Sequence, residues 1–389
     1  MSVPPLSILQ VLEKGSFTTG SVVQMFELAR GLARRGHRVG VVSRPGGEVG
    51  KRSGEEGIPF YPLPLSHEFN LASARGLALL FEERDVDVVH VHKGIAHSAA
   101  LFATFFARRR PVLVVNRGVS FPLDFFAGLK FRVRLDAVVT VSEDIKRIVV
   151  ATGGVPPEKV HVVYAGVDLS RFDPARADGA RVRREWNVAD DENLVLQVGA
   201  RDWKGWTDLV SAAALLAPGF RRLRTAIVAC KDEAEKERVR AFAREKGIAE
   251  RVIPIGFRTD MPDVLAAADA VADLSYEGLG ITGTIREAMA LGRPVVASAA
   301  GGNPELVEHE VSGLLVPPRD PVATAAALSR VLSSPDLAGR LGRAARARVA
   351  EGFSTEVRLD RIEALYRMLV ATSGRSRRGA RGVATIRDR

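Results

Sequence analysis

The sequence predicts an α/β protein of two domains, each a doubly wound parallel sheet, facing one another across a central cleft. Two observations carry this. Short apolar, β-branched runs recur with helix-like segments between them, and after a charged interval near 173–192 the whole pattern restarts. Nearly continuous apolar runs, rather than alternating ones, are what strands buried on both faces require. Alternating strand and helix then implies right-handed crossovers, with ligands held at the carboxyl ends of the strands.

The first six strand candidates are SILQVL (7–12), RVGVVSR (38–44), VDVVHVH (86–92), PVLVVNR (111–117), AVVTVS (137–142) and VHVVYAG (160–166). The second six are NLVLQVGA (193–200), RTAIVAC (224–230), RVIPIGF (251–257), DAVADLS (269–275), PVVASA (294–299) and GLLVPP (313–318). Between the first two, residues 21–35 place Val22, Val23, Phe26, Ala29, Leu32 and Ala33 on one helical face, and Gly36 ends the helix. Leu209 to Leu216 and Met261 to Ala268 follow the same pattern. The expected division is residues 1–175, then 176–355. A last helix at about 356–371 has no strand after it and is expected to pack back on the first domain. A basic tail is expected at 372–389.

At 389 residues the chain can bury two full cores. No stretch approaches 18 uninterrupted apolar residues, and MSVPPLSILQVLEKG lacks the basic start and long apolar run of a signal peptide. Cys230 is the only cysteine, so an internal disulfide framework and a cysteine metal cluster are excluded. The seven His are scattered, and of HVHKGIAH only His90 and His92 share a strand face, so no metal site is expected. A cytoplasmic enzyme is the expectation. The net charge of +10 suggests nucleic acid until it is located: residues 374–389 hold six Arg against one Asp. That Gly- and Arg-rich tail has no hydrophobic period and reads as disordered, which leaves the body mildly basic and nucleic acid an unlikely partner. FFARRR (105–110) and FFAGLKFRVR (125–134) mix Phe with cations. That mixture suits an anionic membrane surface, or an ordinary solvated basic surface beside core aromatics.

The chemistry-bearing window is DAVADLSYEGLGITGTIREAMALG (269–292). Gly278, Gly280 and Gly283 stand as G-x-G-x-x-G between a strand and a helix, where backbone can approach a diphosphate and the helix start offers free N–H groups. A dinucleotide would also need an acid at the end of the next strand, where PVVASAAGG has Ser298 and Ala299. Thr284 to Glu287 fits a capping box as well, so Glu287 has a structural reading beside a ligand-binding one.

The longer stretch EGLGITGTIREAMALGRPVVASAAGGNPELV, followed by SGLLVPPRD, resembles the nucleotide-sugar half of family-four retaining glycosyltransferases of the GT-B fold. VVQMFELARGLARRGHRVGVVS, VDVVHVH, VVTVSEDIKRIVV, YAGVDLSRFDP and VGARDWKGWTDLVSAAALL resemble further landmarks of that family, in its order, over nearly the whole chain. The resemblance implies two Rossmann-like domains, an acceptor-binding first and a donor-binding second. It also implies a sugar nucleotide as co-substrate, with no metal or other cofactor.

Residue by residue, the resemblance places Arg201 and Lys204 beside the donor diphosphate, whose charge grows as the glycosidic bond breaks. Gly280, Ile281, Thr282 and Gly283 line the phosphates or sugar, Glu287 grips the ribose, and Glu305 in GGNPE lies near the nucleotide. The family's first glutamate falls on Leu279, and Glu277, two residues earlier, is the candidate to replace it. In the first domain Gly20 and Ser21 belong to the loop where acceptor and phosphates meet, although without the Lys of a P-loop. Arg117, beside Asn116, stands where the family often has a His. It cannot act as a base but could hold an anionic acceptor or support the departing phosphate. His92 is a further cleft candidate, with core packing as its alternative. The implied reaction is sugar transfer with retention to a glycan or lipid-linked acceptor, such as a lipopolysaccharide precursor. A GT-B sugar-nucleotide epimerase and a non-catalytic nucleotide-sugar binder are the rival readings.

Overall fold

The computed structural model describes residues 4–17, 20–277 and 280–373. The basic tail from 374 onward, and Gly278 and Leu279 of the glycine loop, lie outside the described residues. The first sheet contains β1 (Ser7–Val11), β2 (Arg38–Ser43), β3 (Phe60–Pro62), β4 (Val88–Val91), β5 (Val112–Arg117), β6 (Ala137–Thr140) and β7 (Val160–Val162). The second contains β8 (Asn193–Val198), β9 (Leu223–Val228), β10 (Val252–Pro254), β11 (Ala270–Asp273), β12 (Val295–Ser298) and β13 (Leu314–Val316).

Strand orders are β3-β2-β1-β4-β5-β6-β7 and β10-β9-β8-β11-β12-β13, every pair parallel. All twelve anticipated strands are present. β3 was not anticipated: FYP is three residues long, half-buried, and closes on a proline at the sheet edge, where no apolar run is needed. Each order reverses direction once, between β1 and β4 and between β8 and β11. A crevice at the carboxyl ends of the strands therefore opens at those two points.

Helix Gly20–Arg34 buries Val22, Met25, Phe26, Leu28, Ala29 and Leu32 on the first sheet; Val23 and Ala33 are half-buried at its margin. The final helix, Thr355–Thr372, seals the same core with Leu359, Ile362, Leu365 and Tyr366. Tyr366, fully buried, lies 2.6 Å from His90 Nδ1 through its hydroxyl and accepts a longer bond from Gln10 Nε2. The two chain crossings between the halves run side by side. Val167 N donates to Phe353 O (3.0 Å) and Thr355 N to Val167 O (2.9 Å). Gly166 is obligatory there, since a Cβ would sit 2.6 Å from Thr355 Cα.

Candidate functional site

At the switch point of the second sheet, the turn after β8 carries Arg201 and Lys204. Arg201 is exposed. Lys204 lies back over the Trp203 ring, its Nζ 4.9 Å from the centroid and 3.6 Å from Asp273 Oδ2 at the end of β11. Asp273 is fully buried; its other oxygen accepts from the backbone N–H and hydroxyl of Ser275. An aspartate that sequence reading did not single out thus fixes the lysine at the crevice. Only the tertiary pairing of β8 with β11 brings the two together. Glu277, just beyond β11, is exposed.

The glycine loop is tied down by Asn303, the middle residue of GGNPE, to which sequence reading alone assigned no separate role. Its buried Oδ1 accepts from Thr282 Oγ1 (3.1 Å) and Thr282 N (3.4 Å), and its Nδ2 donates to Ser298 O (3.1 Å). Gly302 N donates to Gly280 O (3.1 Å), and Ile281 packs against Gly302. Both glycines meet the other half of the molecule: a Cβ on Gly280 would lie 2.6 Å from Val141, and one on Gly302 2.9 Å from Ser142. The loop closes directly on the first half.

Helix Gly283–Ala290 begins two residues earlier than a Thr284 capping box would need. Its N-cap is Thr282, which makes no side-chain cap bond. Glu287 therefore stands in the second turn, too far along to cap, and the capping reading is corrected. Its half-buried carboxyl points back along the helix, with Oε1 3.9 Å from where a Gly283 Cβ would be. Burial lifts its pKa to about 7, against the pull of Arg286 and Arg171 and with the charge of Glu27 adding to the rise.

Glu305 reaches across to the first half. Its carboxylate accepts from Glu143 N (2.8 Å) and Asp144 N (3.1 Å), the first free N–H groups of helix Glu143–Gly153, and it hydrogen-bonds Tyr164. Burial and this anionic neighbour push the Tyr164 pKa up to about 12. Glu305→Ala should cost about 1–2 kcal/mol, the scale of a lost N-cap. Urea midpoints would check this, and an unchanged midpoint would remove Glu305 as a link between the halves.

On the first half, Gly20 and Ser21 open helix Gly20–Arg34. Arg117 ends β5, half-buried, and donates from Nη2 to Phe121 O; burial holds its pKa below the ordinary value. Asn116 precedes it, also half-buried. His92 is buried, 2.7 Å from Gln10 Oε1 through Nε2 and 4.4 Å from the His90 ring. Burial holds its pKa well below 6.5, so it is neutral and spoken for by the sheet interior. Lys14 and Lys93, not anticipated, meet at the switch point of this sheet. Burial and Lys14 both depress the Lys93 pKa. Among the described residues, no group of three or more His, Cys, Asp or Glu is placed to hold a metal.

Two facing parallel sheets with a glycine loop closing on the cleft define the GT-B glycosyltransferase fold. Residues 18–171 match the model of Glycosyltransferase Family 4, and residues 179–348 that of Glycosyl transferases group 1. The D-inositol 3-phosphate glycosyltransferase of Mycobacterium marinum is 30% identical over 86% of this chain and 75% of its own. Among solved structures, a glycosyltransferase from Rickettsia africae superposes with a TM-score of 0.86 at 22% identity, over 95% of this chain and 99% of that one. HepE of Anabaena, in complex with UDP-glucose, superposes with a TM-score of 0.77 at 22% identity, over 93% and 100%. The chain belongs to the group-1 glycosyl transferases.

Proposed function

We propose that this chain is a retaining, hexosyl-type glycosyltransferase that uses a nucleotide-diphospho-sugar and glycosylates a lipid-linked or cell-envelope acceptor, without a metal. The observation that carries the reading is the Glu287 carboxyl, held beside Gly283 within reach of charges from both halves. In this reading its oxygens accept from the donor ribose hydroxyls. Lys204 and the start of helix Gly283–Ala290 face the diphosphate, whose developing charge they stabilise as it departs. The leaving diphosphate itself takes the acceptor proton on the same face. Lys14, Lys93 and Arg117 give the first half a cationic lining, which favours an acceptor and speaks against an epimerase that would need none. The UDP-glucose held by HepE supports a sugar-nucleotide donor.

Thermal-shift titration with UDP, GDP, ADP, dTDP, CMP and NAD tests the donor class, because a ligand that binds the native state raises the midpoint with its concentration. One nucleoside diphosphate stabilising the protein supports the transferase; NAD alone doing so would overturn it. Transfer should survive EDTA, and the anomeric configuration of the product decides retention.

The membrane part rests on exposed aromatics. Phe121, Phe125, Phe126 and Leu129 stand out on one side of the first half, and Phe105 and Phe106 carry Arg134 and Arg75 over their rings at 3.9 and 5.7 Å. Arg109 and Arg110 are paired with Asp85 and Asp136, so the FFARRR charges are largely spent within the protein. Among the described residues no helix is long and apolar enough to cross a membrane, and surface docking is the mode proposed. F125S/F126S should weaken binding to vesicles of one-third phosphatidylglycerol about tenfold. Equal binding would remove the membrane from the proposal.

A further inference from the structure

Arg286 is a buried charged side chain that the donor-site description leaves unused. It is only 5% exposed, and its Nε and Nη1 have no hydrogen-bond partner. No carboxylate comes within ion-pair distance of it among the described residues, although Glu287 and Glu27 are its charged neighbours. Glu27 is bonded elsewhere: its Oε2 accepts from Gln24, and its leading cation is Arg358, itself bonded to Gln24, with Arg286 second. Arg286 therefore stands desolvated, with no contact ion pair among the described residues and two of its nitrogens without a hydrogen bond, a costly state that the more distant charges of Glu287 and Glu27 offset only in part. The side chain leans back toward the start of its own helix, as helical side chains do, and brings Nη2 to 3.9 Å from where a Gly283 Cβ would be. Gly283 opens the eight-residue helix Gly283–Ala290, whose free N–H groups face the same space. Meanwhile Lys204, the half-buried cation of the turn after β8, already has Asp273 beside it, and Arg201 in the same turn is exposed.

We propose that Arg286 is an oxyanion-binding residue of the donor site, its guanidinium fork closing on an anionic group of the donor beside Gly283. This rests on the sugar-nucleotide reading above. The chemistry required is a pair of oxygens sharing negative charge, supplied by the diphosphate or by the carboxylate of an acidic donor sugar. A planar, permanently charged fork matches either, and lysine does not reproduce it.

Calorimetric titration of wild type, Arg286→Gln and Arg286→Lys separates the cases, using UDP, GDP and ADP, each beside its parent nucleoside, and UDP-glucose beside UDP-glucuronate. Arg286→Gln should weaken the preferred nucleoside diphosphate at least tenfold and leave the nucleoside unchanged, with Arg286→Lys intermediate. Loss confined to UDP-glucuronate assigns the fork to a sugar carboxylate and also supports the proposal. Undiminished binding of every probe, whatever the ligand-free midpoint, would overturn the proposal and make Arg286 structural. Where Arg286→Gln does not fold, Arg286→Lys decides: several-fold weakening toward the diphosphate supports the proposal, and unchanged affinity overturns it. Wild type binding none of the probes is failure of the donor reading itself.

Discussion

Glu287→Gln should lower affinity for the donor nucleoside diphosphate about 10- to 100-fold and abolish its pH dependence near neutrality. Two ribose hydroxyls donating to a carboxylate form charge-assisted bonds, worth about 1.5–3 kcal/mol each before the amide recovers part. Only the ionised carboxyl makes both bonds charge-assisted, and burial sets its pKa to about 7. Wild-type affinity should therefore rise as pH rises through 7 and flatten above it. Stability moves the other way. The folded state keeps a proton that the unfolded chain releases near 4.5, so this group's contribution is fully present below 4.5 and lost as pH rises through 7. The glutamine variant escapes that loss, and at pH 8 the ligand-free variant should be the more stable by roughly 1–3 kcal/mol. Donor affinity independent of pH in the wild type would sink both halves of the argument.

Gly205→Ala should combine a backbone clash with backbone strain in the donor half. Gly205 has φ +69°, which costs an L-residue about 1 kcal/mol or more. A Cβ there would lie 2.2 Å from the carbonyl oxygen of Leu274, backbone that continues β11 and cannot swing aside. The expected loss exceeds about 3 kcal/mol, and displacing the turn also pulls Lys204 from Asp273, so nucleotide binding should fall with stability. Gly247→Ala is the internal control: its φ is +72°, with nothing within 4 Å of the added carbon. It should lose only the strain. Equal losses at the two sites in urea unfolding would rule out the clash.

The strands were legible because parallel strands covered on both faces must be apolar throughout, and twelve such runs stand out. β3 lacked that signal because an edge strand of three residues buries little. Helix Gly283–Ala290 was legible, but its start was not: Thr282 and Thr284 look equally like caps in sequence, and only the tie from Thr282 to Asn303 selects the earlier one. Lys204 and Glu287 could be nominated by resemblance. Asp273 and Arg286 could not, since one reads as a strand residue and the other as a solvated helix charge until burial is known. Glu305 illustrates the same limit across distance. Its partners at 143 and 144 lie on the opposite half, and nothing in GGNPE announces them.

The placement of Thr355–Thr372 makes the order of synthesis differ from the order of completion. A ribosome delivers the first half early, yet Tyr366, which closes over His90 and Gln10, is made only after the whole second half. The second core already has its final member, Phe353, before that helix begins. The nascent first half must therefore wait with the seats of Leu359, Ile362 and Leu365 uncovered. Waiting of that kind leaves apolar surface open to misassembly and to chaperones. Chains arrested at residue 353 should bind a hydrophobic dye and be cleaved by protease within residues 4–160, while 179–348 stays protected.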